Sequence, residues 1–236
     1  MIGILRSTIL ALALFAVVGS VLAAEASGQA KLREITKRMD DHNRSLSTLR
    51  AKVTMVKRNA QLGNAETTVG TAIYAKRPGK DALVRIDWQR PDESLAVVDG
   101  RYYMYRPRTN MVLTGSIKDV GKAKPGDQPK GTSALAFMNM SRAQLDANYT
   151  VALENESATL SNGVQTFHLR LTPKTQASYK DAELWVDVNG MPVQTKINEH
   201  NNDSTTVLLS DLQKNVSLTT SNFKIDWPKG TKVQKS

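Results

Sequence analysis

The stretch Tyr74-Ala75-Lys76-Arg77-Pro78-Gly79-Lys80-Asp81-Ala82-Leu83-Val84-Arg85-Ile86-Asp87-Trp88-Gln89-Arg90-Pro91-Asp92-Glu93-Ser94-Leu95-Ala96-Val97-Val98-Asp99-Gly100 decides how this chain folds. From Asp81 to Trp88 the residues alternate. Ala82, Val84, Ile86 and Trp88 fall on one face; Leu83, Arg85 and Asp87 fall on the other. A period of two belongs to a strand with two unlike faces. Pro78-Gly79 before it and Arg90-Pro91-Asp92 after it are turn chemistry. Asp99-Gly100 is a hairpin signal, because Gly accepts the positive φ that a tight two-residue turn demands. The run therefore reads as antiparallel strands in series, with Arg77 at the mouth of the first.

The same period extends in both directions. Val53 and Met55 alternate with Lys52, Thr54 and Lys57, and Thr67–Lys76 reads as a second strand. Further strands are expected at Glu93–Asp99, Arg101–Arg106, Met111–Thr114, Tyr149–Glu154, Thr159–Ser161, Val164–Thr172, Asp181–Asn189, Pro192–His200, Ser204–Asp211 and Asn215–Thr219, with one more at Phe223–Trp227. Short strands separated by turns such as Asn162-Gly163 and Asn189-Gly190 imply a barrel or a sandwich. Helical spacing occurs in two places only. Residues 28–48 repeat Leu32, Ile35 and Met39 on one side against charged residues on the other, with a weak point at Asp40-Asp41-His42-Asn43. Ser133–Asn148 is an unusually apolar helical segment, with a break near Ser141, which is suited to cap a second short helix. Gly115–Gly131 has no period and reads as a loop rich in Lys, Gly, Pro and Asp. The fold class is mainly β with helices: a curved sheet with a helical plug.

Residues 1–23 read as a signal peptide. Arg6 supplies the basic start, Ile9–Val18 the apolar segment and Val21-Leu22-Ala23 the cleavage site. Residues 24–236 then form one expected domain, exported to the periplasm. The chain has no Cys, which excludes disulfides and an N-terminal lipidated Cys, so an unanchored mature protein is expected. The net charge of +10 favours anionic partners, including transient contact with an anionic membrane surface. Export and the scatter of basic residues along the chain argue against nucleic acid. A monomer is expected.

No catalytic constellation stands out. The histidines His42, His168 and His200 have no metal-ligand spacing, so neither a metal nor a cofactor is expected. Asp181 and Glu183 read as a solvated strand face rather than an acid–base pair. Gly126-Asp127-Gln128-Pro129-Lys130-Gly131-Thr132 lacks the Lys of a phosphate-binding loop after its second Gly. The chain is not expected to be an enzyme.

Several segments, in order, resemble the periplasmic outer-membrane lipoprotein carrier family (LolA-like proteins). Leu49-Arg50-Ala51-Lys52-Val53 is similar to the end of that family's opening helix and its first strand, and Lys76-Arg77-Pro78 to its Lys-Arg-Pro motif. Arg90-Pro91-Asp92-Glu93-Ser94 with Asp99-Gly100 matches its Gln-Pro-Asp-Glu-Ser and Asp-Gly pair, apart from the first residue. Ser133–Met140 resembles its lid helix, and Asn222-Phe223 with Pro228–Val233 its closing strand. The resemblance implies an incomplete antiparallel β-barrel closed by a helical lid, with acyl chains inside. It implies a carrier that shuttles acylated lipoproteins from an inner-membrane ABC-type releasing complex to an outer-membrane acceptor. The alternative is a lipid-binding or envelope-sensing domain of the same fold with no shuttling role. It assigns Arg77 the part of a latch that hydrogen-bonds lid carbonyls in the closed state. It places Met39, Val84, Ile86 and Trp88 on the cavity wall, with Leu135, Phe137 and Met138 covering it from the lid. Alternation adds Phe167, Leu169, Leu184 and Val186 as walls from the second half, or as filled core.

Overall fold

The computed structural model describes residues 27–117 and 140–235. The expected signal peptide, the lid residues Leu135, Phe137 and Met138, and most of the 115–131 loop lie outside those residues.

Described residues 27–45 form helix α1 without interruption. Its buried side is Ile35, Thr36 and Met39. The weak point at Asp40–Asn43 does not interrupt the helix, and the reason is local. Lys37 reaches Asp41 at 2.6 Å, and Arg44 reaches Asp40 at 3.0 Å and Asp41 at 2.8 Å. Ion pairs one turn apart hold the polar stretch in the helix. The helix ends before the sequence reading placed it, and β1 begins at Thr48.

Twelve strands follow: β1 Thr48–Arg58, β2 Ala65–Ala75, β3 Leu83–Gln89, β4 Glu93–Val98, β5 Arg101–Arg106, β6 Met111–Ser116, β7 Tyr149–Thr159, β8 Gln165–Pro173, β9 Tyr179–Asp187, β10 Pro192–Glu199, β11 Ser204–Lys214 and β12 Lys232–Lys235. They form one sheet in the order β12-β6-β5-β4-β3-β2-β1-β11-β10-β9-β8-β7. All neighbours are antiparallel except β12, which runs parallel to β6. The edges, β12 and β7, are not paired with each other, so the sheet is open. The β1–β11 pairing joins the two halves of the chain.

Register stacks the inner face in layers. Tyr74, Val84 and Val97 lie across β2, β3 and β4; Ala72, Ile86 and Leu95 form the next layer; Gly70, Trp88 and Glu93 the one after. The two expected strands at 149–161 are one bulged strand, β7, with irregular register at Leu153–Ala158. Short helix α2, Arg142–Asn148, precedes it. Ser141 caps α2 as expected. The Gln144 N–H donates to Ser141 Oγ at 3.3 Å, and the Ser141 N–H donates back to Gln144 Oε1 at 2.9 Å.

One glycine seats α1 on the sheet. Gly190, in the β9–β10 turn, has φ +88°, and a Cβ there would lie 2.2 Å from the Arg38 carbonyl oxygen. Arg38 also donates to the Val188 carbonyl at 2.7 Å. Only a residue without a side chain lets the helix approach this closely.

The C-terminal segment straps the outer face. Phe223, expected in a strand, ends a 3-10 turn, Thr220–Phe223, and is buried against Ala75 and Leu83. Arg85 donates to the carbonyls of Lys224 at 2.6 Å and Asn222 at 3.3 Å, and Trp227 stacks on Tyr103. Residues 215–219 are likewise not strand.

Asp181 and Glu183 are not solvated: both are buried on the outer face of β9. Asn198 donates to Asp181 at 2.6 Å and to Glu183 at 2.8 Å, Lys196 lies 3.1 Å from Glu183, and His168 is 2.8 Å from it. Burial pushes the Glu183 carboxyl up, but the bonds from Asn198 and Lys196 outweigh it and hold the group below its ordinary value.

Candidate functional site: an apolar cavity beneath helix α1

A cavity of about 440 Å³ opens where α1 meets the sheet. Among the described residues, α1 and its exit contribute His42 and Leu46, and α2 with its approach contributes Gln144 and Met140. The sheet side is Leu49 from β1, Ala72 and Tyr74 from β2, Val84 and Ile86 from β3, Val97 from β4 and Leu209 from β11. Ile117 and Met191 close the sides, and Asp81, Ala82 and Gly100 mark the rim.

Its shape follows from the layers. Ala72 pairs with Ile86 on one side and Ala51 on the other, so small side chains face each other where bulky ones would fill the space. One layer deeper, Trp88 lies opposite Gly70 and is buried. The apolar lining gives a bound molecule little besides burial, which suits hydrocarbon.

The sequence-derived residues divide. Val84 and Ile86 line the cavity. Met39, Trp88, Phe167, Leu169, Leu184 and Val186 are buried in the continuous core and do not line it. Lys31 and Arg38 of α1 lie 5.3 and 5.9 Å from the centre of the Phe167 ring, so that residue meets the helix. The sequence reading missed Leu46, Leu49, Ala72, Tyr74, Val97, Met140, Met191 and Leu209. Inward alternation marks Leu49, Ala72, Tyr74 and Val97, and Met140 ends the apolar segment that resembles a lid helix, whereas no local pattern marks Met191.

Arg77 stands beside the rim. Its Nε donates to the Asp81 carbonyl at 2.7 Å, and its Nη1 donates to Asp99 at 2.8 Å. These bonds join the β2–β3 and β4–β5 turns. Nη2 is enclosed with no hydrogen-bond partner. Nearby, Lys76 donates to the Asn43 carbonyl at 2.8 Å, which ties the end of β2 to α1.

Burial pushes the His42 imidazole below its ordinary value. The Lys214 charge adds to this and Asp187 opposes it. No cluster of His, Asp or Glu among the described residues is placed to hold a metal ion.

Residues 44–226 match the family model described as outer membrane lipoprotein carrier protein LolA. No curated protein matches the chain in sequence. Solved structures with a similar course of the chain share little sequence. An uncharacterized conserved protein from Thermus thermophilus is 14% identical, with TM-score 0.54 over 87% of this chain and 99% of that one. MucB is 15% identical, with TM-score 0.52 over 84% of this chain and 63% of that one. A putative outer membrane lipoprotein-sorting protein domain from Vibrio parahaemolyticus is 15% identical, with TM-score 0.44 over 84% of this chain and 96% of that one.

Proposed function

The chain belongs to the outer membrane lipoprotein carrier protein LolA family, and on that premise we propose that it sequesters the acyl chains of lipoproteins in the cavity beneath α1 and shuttles them through the periplasm. The observation that carries the reading is the apolar cavity of about 440 Å³ at the helix–sheet junction. Its donor is an inner-membrane ABC-type releasing complex and its acceptor lies at the outer membrane. The basic surface makes transient contact with anionic headgroups.

A magnitude explains the need for such a carrier. Exposing hydrocarbon to water costs about 0.8 kcal/mol per methylene, so a chain of roughly 15 carbons costs on the order of 12 kcal/mol. Unassisted crossing of an aqueous compartment is negligible at that cost. The carrier has only to bind more tightly than its donor and less tightly than its acceptor.

Arg77 acts as the latch. Its planar guanidinium holds the two turns at the rim, and Nη2 remains to bond carbonyls of the lid. A latch of a few such bonds opens when a ligand enters, which makes the lid a two-state element.

Identification by mass spectrometry of what co-purifies from the periplasm tests the reading. Acylated peptide or lipoprotein supports it. Free lipid alone refutes the shuttling role and leaves a lipid-binding domain.

A further inference from the structure

His42 differs from the other polar side chains around the cavity. Gln144 is engaged with Ser141, Tyr74 has a partner of its own, and Asp81 is exposed at the rim. The His42 ring lines the same apolar space, yet its Nε2 is enclosed with no hydrogen-bond partner. The backbone beneath it is fixed, since the His42 carbonyl accepts from the Leu46 N–H and from Ser45 Oγ, each at 2.9 Å. An enclosed nitrogen without a partner is costly to maintain in a folded protein, and a partner supplied by a ligand removes that cost.

Burial favours the neutral form of the ring. A neutral imidazole offers one N–H donor and one acceptor in an otherwise apolar wall. An acyl chain carries one polar feature where its hydrocarbon begins, a carbonyl oxygen. Building on the acyl-chain reading above, we infer that His42 Nε2–H donates to the carbonyl oxygen of the bound acyl group. The bond sets how deep the chain sits and selects acyl groups over plain hydrocarbon.

The test measures binding of hexadecane, methyl hexadecanoate and hexadecanoate to the wild type, His42→Leu and His42→Gln, with circular dichroism as the check on folding. His42→Leu is expected to weaken the ester and the carboxylate about tenfold, the effect of one buried hydrogen bond. It is expected to leave hexadecane unchanged or tighter, because the alkane never satisfied the nitrogen. His42→Gln, which keeps a donor, is expected to recover most of the ester affinity. Equal weakening of all three ligands, or no change for the ester, overturns the inference and leaves the acyl-chain reading standing. Loss for hexadecanoate alone also overturns it, because an ester carbonyl would have been lost with it. A wild type that binds none of the three overturns both.

Discussion

Filling the cavity from its wall is the most direct perturbation of the site. Ala72 sits in the layer between Ala51 and Ile86 and faces the open space. Ala72→Phe projects a six-carbon ring into that volume and displaces about five methylenes of a bound chain. At about 0.8 kcal/mol each, the loss is about 4 kcal/mol, or close to a thousandfold in Kd. Displacement of a fluorescent acyl probe from the purified protein reads it. Thermal unfolding provides the control. The new ring enters space rather than packed atoms, so the melting temperature should hold or rise. An Ala72→Phe protein that melts normally and still binds the probe at wild-type affinity would refute the placement of the ligand.

Other consequences follow from particular contacts. Gly190→Ala should destabilise the protein by about 2–4 kcal/mol in urea unfolding, since the new Cβ meets the Arg38 carbonyl and the residue must hold positive φ; a loss under about 1 kcal/mol would contradict the close packing of α1. Arg77→Leu should weaken lid closure and impair delivery to an acceptor. Unchanged hydrogen-exchange protection over residues 133–140 with normal transfer would count against the latch. Stability should fall with acid in two windows. His42 and Glu183 are both held below their ordinary values of 6.5 and 4.5, so in each case the unfolded chain takes up its proton first. The His42 contribution is present above pH 6.5 and is lost as pH falls below it; the Glu183 contribution is present above pH 4.5 and is lost below that. Melting temperatures of His42→Phe should lose the first decline only, and persistence of that decline would reassign it.

The strands were legible because alternation is local. From Val84-Arg85-Ile86-Asp87-Trp88 one face of β3 can be read without knowing what it faces. The cavity was not legible in the same way. Ile86 and Leu184 have the same inward pattern and nearly the same burial, at 0% and 1% exposure, yet only Ile86 lines open space. The difference comes from what stands opposite: Ala72 and Ala51 beside Ile86, a register fact that no single strand contains. The burial of Asp181 and Glu183 is hidden from the sequence for a related reason. They do point outward, but Asn198 and Lys196 of β10 and His168 of β8 cover them, and those partners are set by pairing of distant segments. Helix α1 persisted through Asp40–Asn43 because the ion pairs at that spacing offset the poor propensity of Asp and Asn. Of the residues that the resemblance places on the wall, Val84 and Ile86 line the cavity, whereas Met39 and Trp88 lie in the buried core away from it.

The proposed function depends on an acyl chain occupying the space between α1 and the inner face of β1–β4 and β11. Photo-crosslinking with an acylated peptide carrying a diazirine at mid-chain, followed by peptide mapping, locates that chain. Labelling of Leu49, Ala72, Ile86 and Leu209 is expected. Labelling confined to the outer face, or to the packed core around Leu169 and Leu184, would contradict the proposed site.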